Sequence, residues 1–167
     1  MFRPFASWIA STELSHTFQE DASWLIPTSQ SLHIISVGVL FTSAILINMR
    51  LLGITHSGRT VSQLARTLVP LMWGALGVLL LTGVIQTIAE PVRQFVTPWF
   101  WAKMIMIVVV MAMTVVFTTK IRASAAAWDA PASRPSGARQ FAIASTLLWV
   151  AIIVCGRFVG YTWSDYL

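Results

Sequence analysis

Four apolar runs of membrane-crossing length, separated by short polar segments, set the rhythm of this chain. In the first, fifteen residues from Ile34 to Asn48 pass without a charge. With its flanks, that run can cross a hydrocarbon core of about 30 Å. Pro27 suits a first helical turn, where its missing N–H has no intrahelical acceptor to serve, so a helix is predicted over about 27–52. The second run, containing MWGALGVLLLTGVIQTIA, predicts a helix over about 67–89. Pro91 ends it, because the proline ring disfavours continuation. The third opens at TPWFWAKM and is predicted over about 99–119, and the fourth over about 141–163. Gly74, Gly77 and Gly83 in the second run, and Gly156-x-x-x-Gly160 in the fourth, are small residues of the kind that let membrane helices pack closely.

Residues 1–23 break this pattern by mixing aromatic and polar side chains. Phe5, Trp8 and Ile9 fall at i, i+3 and i+4, which predicts a short helix lying in the membrane interface. Pro4, Glu13 and His16 interrupt the segment, so it lacks the apolar core of a signal peptide, and the first span is expected to act as its own insertion signal. The fold expected is therefore an all-α integral membrane protein. It comprises an interfacial segment, 1–23, and a four-transmembrane-helix bundle, 24–167.

Composition agrees. Only 10% of the 167 residues are charged and mean hydropathy is +0.74, against about 25% charged residues in soluble domains. The net charge of +5 would suggest nucleic acid only if it formed one basic face. Instead the cations fall mostly in two connectors, so no nucleic-acid partner is expected. Arg50, Arg59 and Arg66 flank the first connector; Lys120, Arg122, Arg134 and Arg139 face the single acid Asp129 in the second. At the opposite end Glu90 balances Arg93, and Glu13, Glu20 and Asp21 outweigh Arg3. The positive-inside rule then puts both connectors in the cytoplasm and both termini in the periplasm of a bacterial inner membrane. The single cysteine, Cys155, permits no internal disulfide.

That topology gathers polar groups into one outer layer: His33, Gln86 and Glu90, Lys103, and Arg157, about 5–10 Å below the interface at 1.5 Å rise per residue. Ionisable groups in spans are costly and mark functional sites by default, although Lys103 and Arg157 could also snorkel outward and Glu90 could pair with Lys103 or Arg93. A b-type haem would use the whole layer, with His33 as axial ligand and Lys103, Arg157 or Arg93 holding the propionates. A second ligand could be His16, with His56 lying across the bilayer; five-coordinate iron and pairing across a homodimer are the alternatives. Met104, Met106, Met111 and Met113 invite a copper reading, since thioether sulfur suits Cu(I), but methionine is also ordinary core filler. Asn48 and Gln86 are expected to make interhelical hydrogen bonds. No hydrolase or nucleotide-binding motif is present, so no enzymatic activity is indicated.

The strings SLHIISVGVL, NMRLLGI, LARTLVPLMWGALGVLLLTGVIQTIAEPVR and FWAKM resemble a family of small, uncharacterised bacterial inner-membrane proteins distantly similar to the copper-resistance D membrane domain. In that family the first span opens with a Leu-His pair, as at Leu32-His33, and closes on an Asp-Leu-Arg-Leu-Leu-Gly-type string. Here Asn48 takes the acidic position while Arg50, Leu51, Leu52 and Gly53 match, and Lys103 matches a lysine of the third span. The resemblance covers about residues 24–120 and implies a four-helix membrane bundle, with copper by analogy. Three functions follow: a haem-associated electron-transfer subunit serving a quinone or periplasmic redox partner, a copper-handling protein, or a non-catalytic subunit of a larger membrane complex.

Overall fold

The computed structural model of the chain describes residues 2–22, 24–55, 58–130 and 135–161. His56, Pro131, Arg134 and Trp163 lie outside the described residues. The chain forms α1 (Arg3–Ala10), α2 (Glu13–His16), a π-type turn (Thr17–Asp21), α3 (Leu25–Leu52), α4 (Val61–Ala89), α5 (Pro91–Phe95), α6 (Pro98–Ala123), α7 (Ala125–Asp129) and α8 (Ala138–Tyr161). Of these α3, α4, α6 and α8 are long and apolar enough to cross a membrane.

Local chemistry sets the ends. Gly53 closes α3 with φ 76°, the left-handed conformation that glycine adopts without penalty. There Gly53 N–H donates to Arg50 O at 3.2 Å and Ile54 N–H to Met49 O at 3.0 Å. Helix α4 begins at Val61, a turn and a half ahead of the expected start, because Thr60 and Gln63 form a capping box. Gln63 N–H donates to Thr60 Oγ1 at 3.3 Å and Thr60 N–H to Gln63 Oε1 at 3.0 Å, satisfying donors a helix start otherwise leaves open. A second cap comes from far along the chain. Asp129, at the end of α7, accepts from Ser62 N–H at 2.8 Å and from the Ser62 hydroxyl at 2.6 Å. Pro70 consequently lies inside α4, where it has no N–H for the carbonyl of Arg66.

Helix α3 runs against α4, α8 packs on both α3 and α6, and α4 meets α6 only sparsely, leaving an open seam between them. Leu40, Ile47, Val61, Val110, Phe117 and Trp149 are buried in the core. Around them sit small or hydroxylated residues, Ser43, Ala44, Thr114 and Ser145, which let the helices approach closely. Asn48 is 3% exposed, and its Nδ2 donates across to α8, to Thr146 Oγ1 at 3.0 Å and Ser145 Oγ at 3.3 Å. This is the interhelical bond expected of it. Leu81, Ile105, Val108 and Leu147 point outward, as residues bathed by lipid should.

The N-terminal segment is docked. Ala6 is fully buried where α1 lies on α5, while Phe5 and Trp8 face outward, the arrangement an interfacial helix needs. Phe2 meets Trp101 at 4.5 Å and Phe5 meets Phe95 edge-on at 5.5 Å between ring centres. Gln19 Nε2 donates to Ala89 O at the end of α4 at 2.6 Å.

Asn48→Ala is expected to lower bundle stability by about 1 kcal/mol, the order of an interhelical hydrogen bond in a membrane. Thermal unfolding in detergent reads this directly; an unchanged midpoint would mean that Asn48 does not tie α3 to α8.

Candidate functional site

The polar groups cluster at the end of the bundle where α4, α5 and α6 succeed one another. His33 projects from the third turn of α3 against α4, half-buried, with Nδ1 2.8 Å from Thr82 Oγ1. Thr82 gives its own hydroxyl proton to Val78 O at 2.8 Å. With that single proton committed, the Thr82 oxygen accepts from His33 Nδ1–H. In that arrangement the imidazole lone pair is on Nε2, the form in which histidine ligates metals. Gly83 lies beside the ring, since a Cβ there would stand 3.7 Å from His33 Cε1.

Lys103, one turn into α6, extends toward α8. Its Nζ stands 5.3 Å from the centre of the Phe100 ring, and no carboxylate reaches it among the described residues. The glycines of α8 make this possible. A Cβ at Gly156 would lie 3.8 Å from Lys103 Cδ, and one at Gly160 only 3.0 Å from Arg93 Nη2. The Gly-x-x-x-Gly face, expected to admit a neighbouring helix, thus admits two cationic side chains. Arg93, on α5, donates to Glu90 Oε2 at 2.7 Å through Nη1.

Hydrogen-bonding capacity is left over. Gln86 Nε2 and Arg93 Nε are buried without an acceptor, so the interhelical bond expected of the Gln86 amide nitrogen is not made. Gln94 is the reverse case, with a buried Oε1 lacking a donor. Counting the Lys103 ammonium, donors outnumber acceptors here. Such a layer is arranged to receive an acceptor-rich, anionic group.

Two of the expected members stand apart. Arg157 is exposed, donating to the Tyr161 hydroxyl and stacking over its ring at 4.5 Å. His16 is exposed as well, 4.0 Å from Glu20. Conversely, Thr82 escaped the sequence reading, and Gly83 was read there only as a packing residue. The signal available was the i, i+4 spacing of Thr82 and Gln86 on one face of α4, at the depth of His33. Among the methionines, Met104 is exposed and Met106 packs against the core. No group of three His, Cys, Asp or Glu side chains converges among the described residues.

Residues 5–162 match the model of a family described as a family of unknown function (DUF6644). No curated protein and no solved structure matches the chain.

Gly156→Leu should press on Lys103 and cost about 1–3 kcal/mol, the usual penalty of overpacking. Gly156→Ala should be neutral or stabilising, since alanine is the better helix former by about 1 kcal/mol and its methyl would meet Lys103 at ordinary contact distance. Thermal unfolding of the two variants in detergent separates the cases. Equal midpoints would show that α8 does not hold Lys103 in place.

Proposed function

Since the chain belongs to the DUF6644 family, a family of unknown function whose match spans the whole site, we propose from the site's own geometry that it is a membrane subunit holding a b-type haem at the His33 end. One observation carries this reading: the Thr82 hydrogen bond leaves His33 Nε2 bare and fixes the ring. A haem also needs cations for its two carboxylates, and Lys103 and Arg93 supply them from α6 and α5. Gln86 Nε2, buried without an acceptor, adds a third donor.

The chain's own contributions can be stated by residue. His33 would supply the iron bond and Thr82 would hold the ring in register. Lys103 would offer a charge whose stem lies against Gly156. Bound haem would supply a one-electron couple, suited to exchange with a quinone or a periplasmic redox partner. His16 faces Glu20 and Arg157 faces Tyr161, so neither has a part in this reading. A second axial ligand would come from outside the described side chains of this layer, a second copy of the chain included. Copper handling, the alternative that the sequence resemblance suggests, has less behind it, because Met104 is exposed while Met106 packs against the core.

The same reading places the connectors in the cytoplasm and both termini outside. Arg59, Arg66, Lys120, Arg122 and Arg139 support it, all lying at the end of the bundle opposite His33. A reporter inserted near Ser136 should be active only if it works in the cytoplasm, and one at the C-terminus only if it works outside. The reverse pattern would overturn the orientation.

Protein purified gently from haem-replete cells is expected to show a Soret band. His33→Ala should abolish it while the helical circular dichroism remains. Thr82→Val, which removes the bond to His33 Nδ1, should weaken retention about 10–100-fold, as loss of a ligand's hydrogen-bond partner usually does. His16→Ala and Arg157→Ala should leave the spectrum unchanged. A colourless wild-type protein, or a Soret band that survives His33→Ala, would end this proposal.

A further inference from the structure

At the opposite end of the bundle the α4–α6 seam opens into a cleft of about 850 Å³. Arg66 on α4 and Arg122 on α6 stand on its two sides, and Val69, Trp73 and Val115 wall it deeper in. Both arginines are exposed, and neither has an acidic partner among the described residues. Asp129, the acid of this end, is engaged with Ser62. Trp73 is seven residues beyond Arg66, so it lies about 10 Å deeper at 1.5 Å rise per residue. The cleft therefore grades from two guanidinium groups at the membrane surface to an open apolar wall within the hydrocarbon. Trp73 and Val115 remain 44% and 45% exposed along that wall.

We propose that this cleft is a binding site for one anionic phospholipid of the surrounding leaflet, its phosphate held between Arg66 and Arg122 and an acyl chain laid along Val69, Trp73 and Val115. Guanidinium groups match phosphate oxygens in bidentate geometry, and basic clefts between membrane helices suit lipid headgroups of this charge. A water-soluble anion would leave the apolar wall unused. A zwitterionic lipid would bring a cationic headgroup to two arginines with no acid free to receive it. The site is independent of His33, which lies at the far end of α3.

Native mass spectrometry of the full chain tests this, with protein released from neutral micelles doped with equal amounts of phosphatidylglycerol and phosphatidylcholine. The wild type should retain one phosphatidylglycerol in preference to phosphatidylcholine. R66Q/R122Q should lose that preference by at least about tenfold, the effect of removing a single charged hydrogen bond. R59Q/R139Q removes the same charge from the same end, outside the cleft, and should keep the preference. V115W keeps both arginines but fills the wall, and should lose retention even if R66Q/R122Q does not fold. Equal retention of the two lipids by the wild type, equal loss in R59Q/R139Q, or full retention by V115W would each overturn the proposal.

Discussion

Hydrocarbon offers no partner to a hydrogen-bond donor, and nearly every feature of this protein answers to that constraint. A buried amide or hydroxyl left open in such a medium costs several kcal/mol. The helices accordingly satisfy themselves wherever they can. Thr114 and Thr146 turn their hydroxyls back to carbonyls one turn earlier, and Asn48 reaches α8 rather than lipid. Against that economy the layer around His33 stands out, because Lys103, Gln86 and Arg93 keep donors without acceptors there. Two of the open donors, Gln86 Nε2 and Arg93 Nε, lie at the end of the bundle where His33 bonds to Thr82, and Trp149 Nε1 in the core is open as well.

The two hairpins share the work unequally. Within each hairpin pair α3 runs closely along α4 and α8 along α6, and Asn48, one turn from the end of α3, ties α3 to α8, while α4 and α6 touch only sparsely. In water such a gap would collapse under the hydrophobic effect. In a bilayer no such force acts between helices, because lipid chains are as apolar as leucine. The seam can therefore stay open at its Arg66–Arg122 end, with Trp73 and Val115 exposed along its wall. The glycines of α8 extend the same logic, giving room to cationic stems where a larger residue would force them out.

Much of the bundle was legible in the sequence because its signals are long and redundant. Runs of some twenty apolar residues admit few alternatives, and Pro91 and Gly53 end helices by backbone chemistry alone. What stayed hidden depended on short polar strings or on distant partners. The start of α4 was masked by the polar look of Thr60-Val61-Ser62-Gln63, which is a cap rather than a loop. Of the outer layer, His33, Lys103 and Arg93 could be read from depth. Depth says nothing of azimuth, however, and Arg157 and His16 share the layer's level while pointing away from it. Thr82 offered only its i, i+4 spacing with Gln86, which gains meaning once His33 is placed opposite.

The Asp129 cap carries a consequence for biosynthesis. Its acceptor lies 67 residues downstream of the Ser62 donors, so the first turn of α4 is completed only after the third span and the start of the second connector have been made. At about 5–20 residues per second, that delay is roughly three to thirteen seconds. Until then the Ser62 amide must rely on water, while the Ser62 hydroxyl has Thr60 Oγ1 at 3.1 Å. One carboxylate thus joins the second hairpin to the first, and its bonds to Ser62 cannot exist before both have been made.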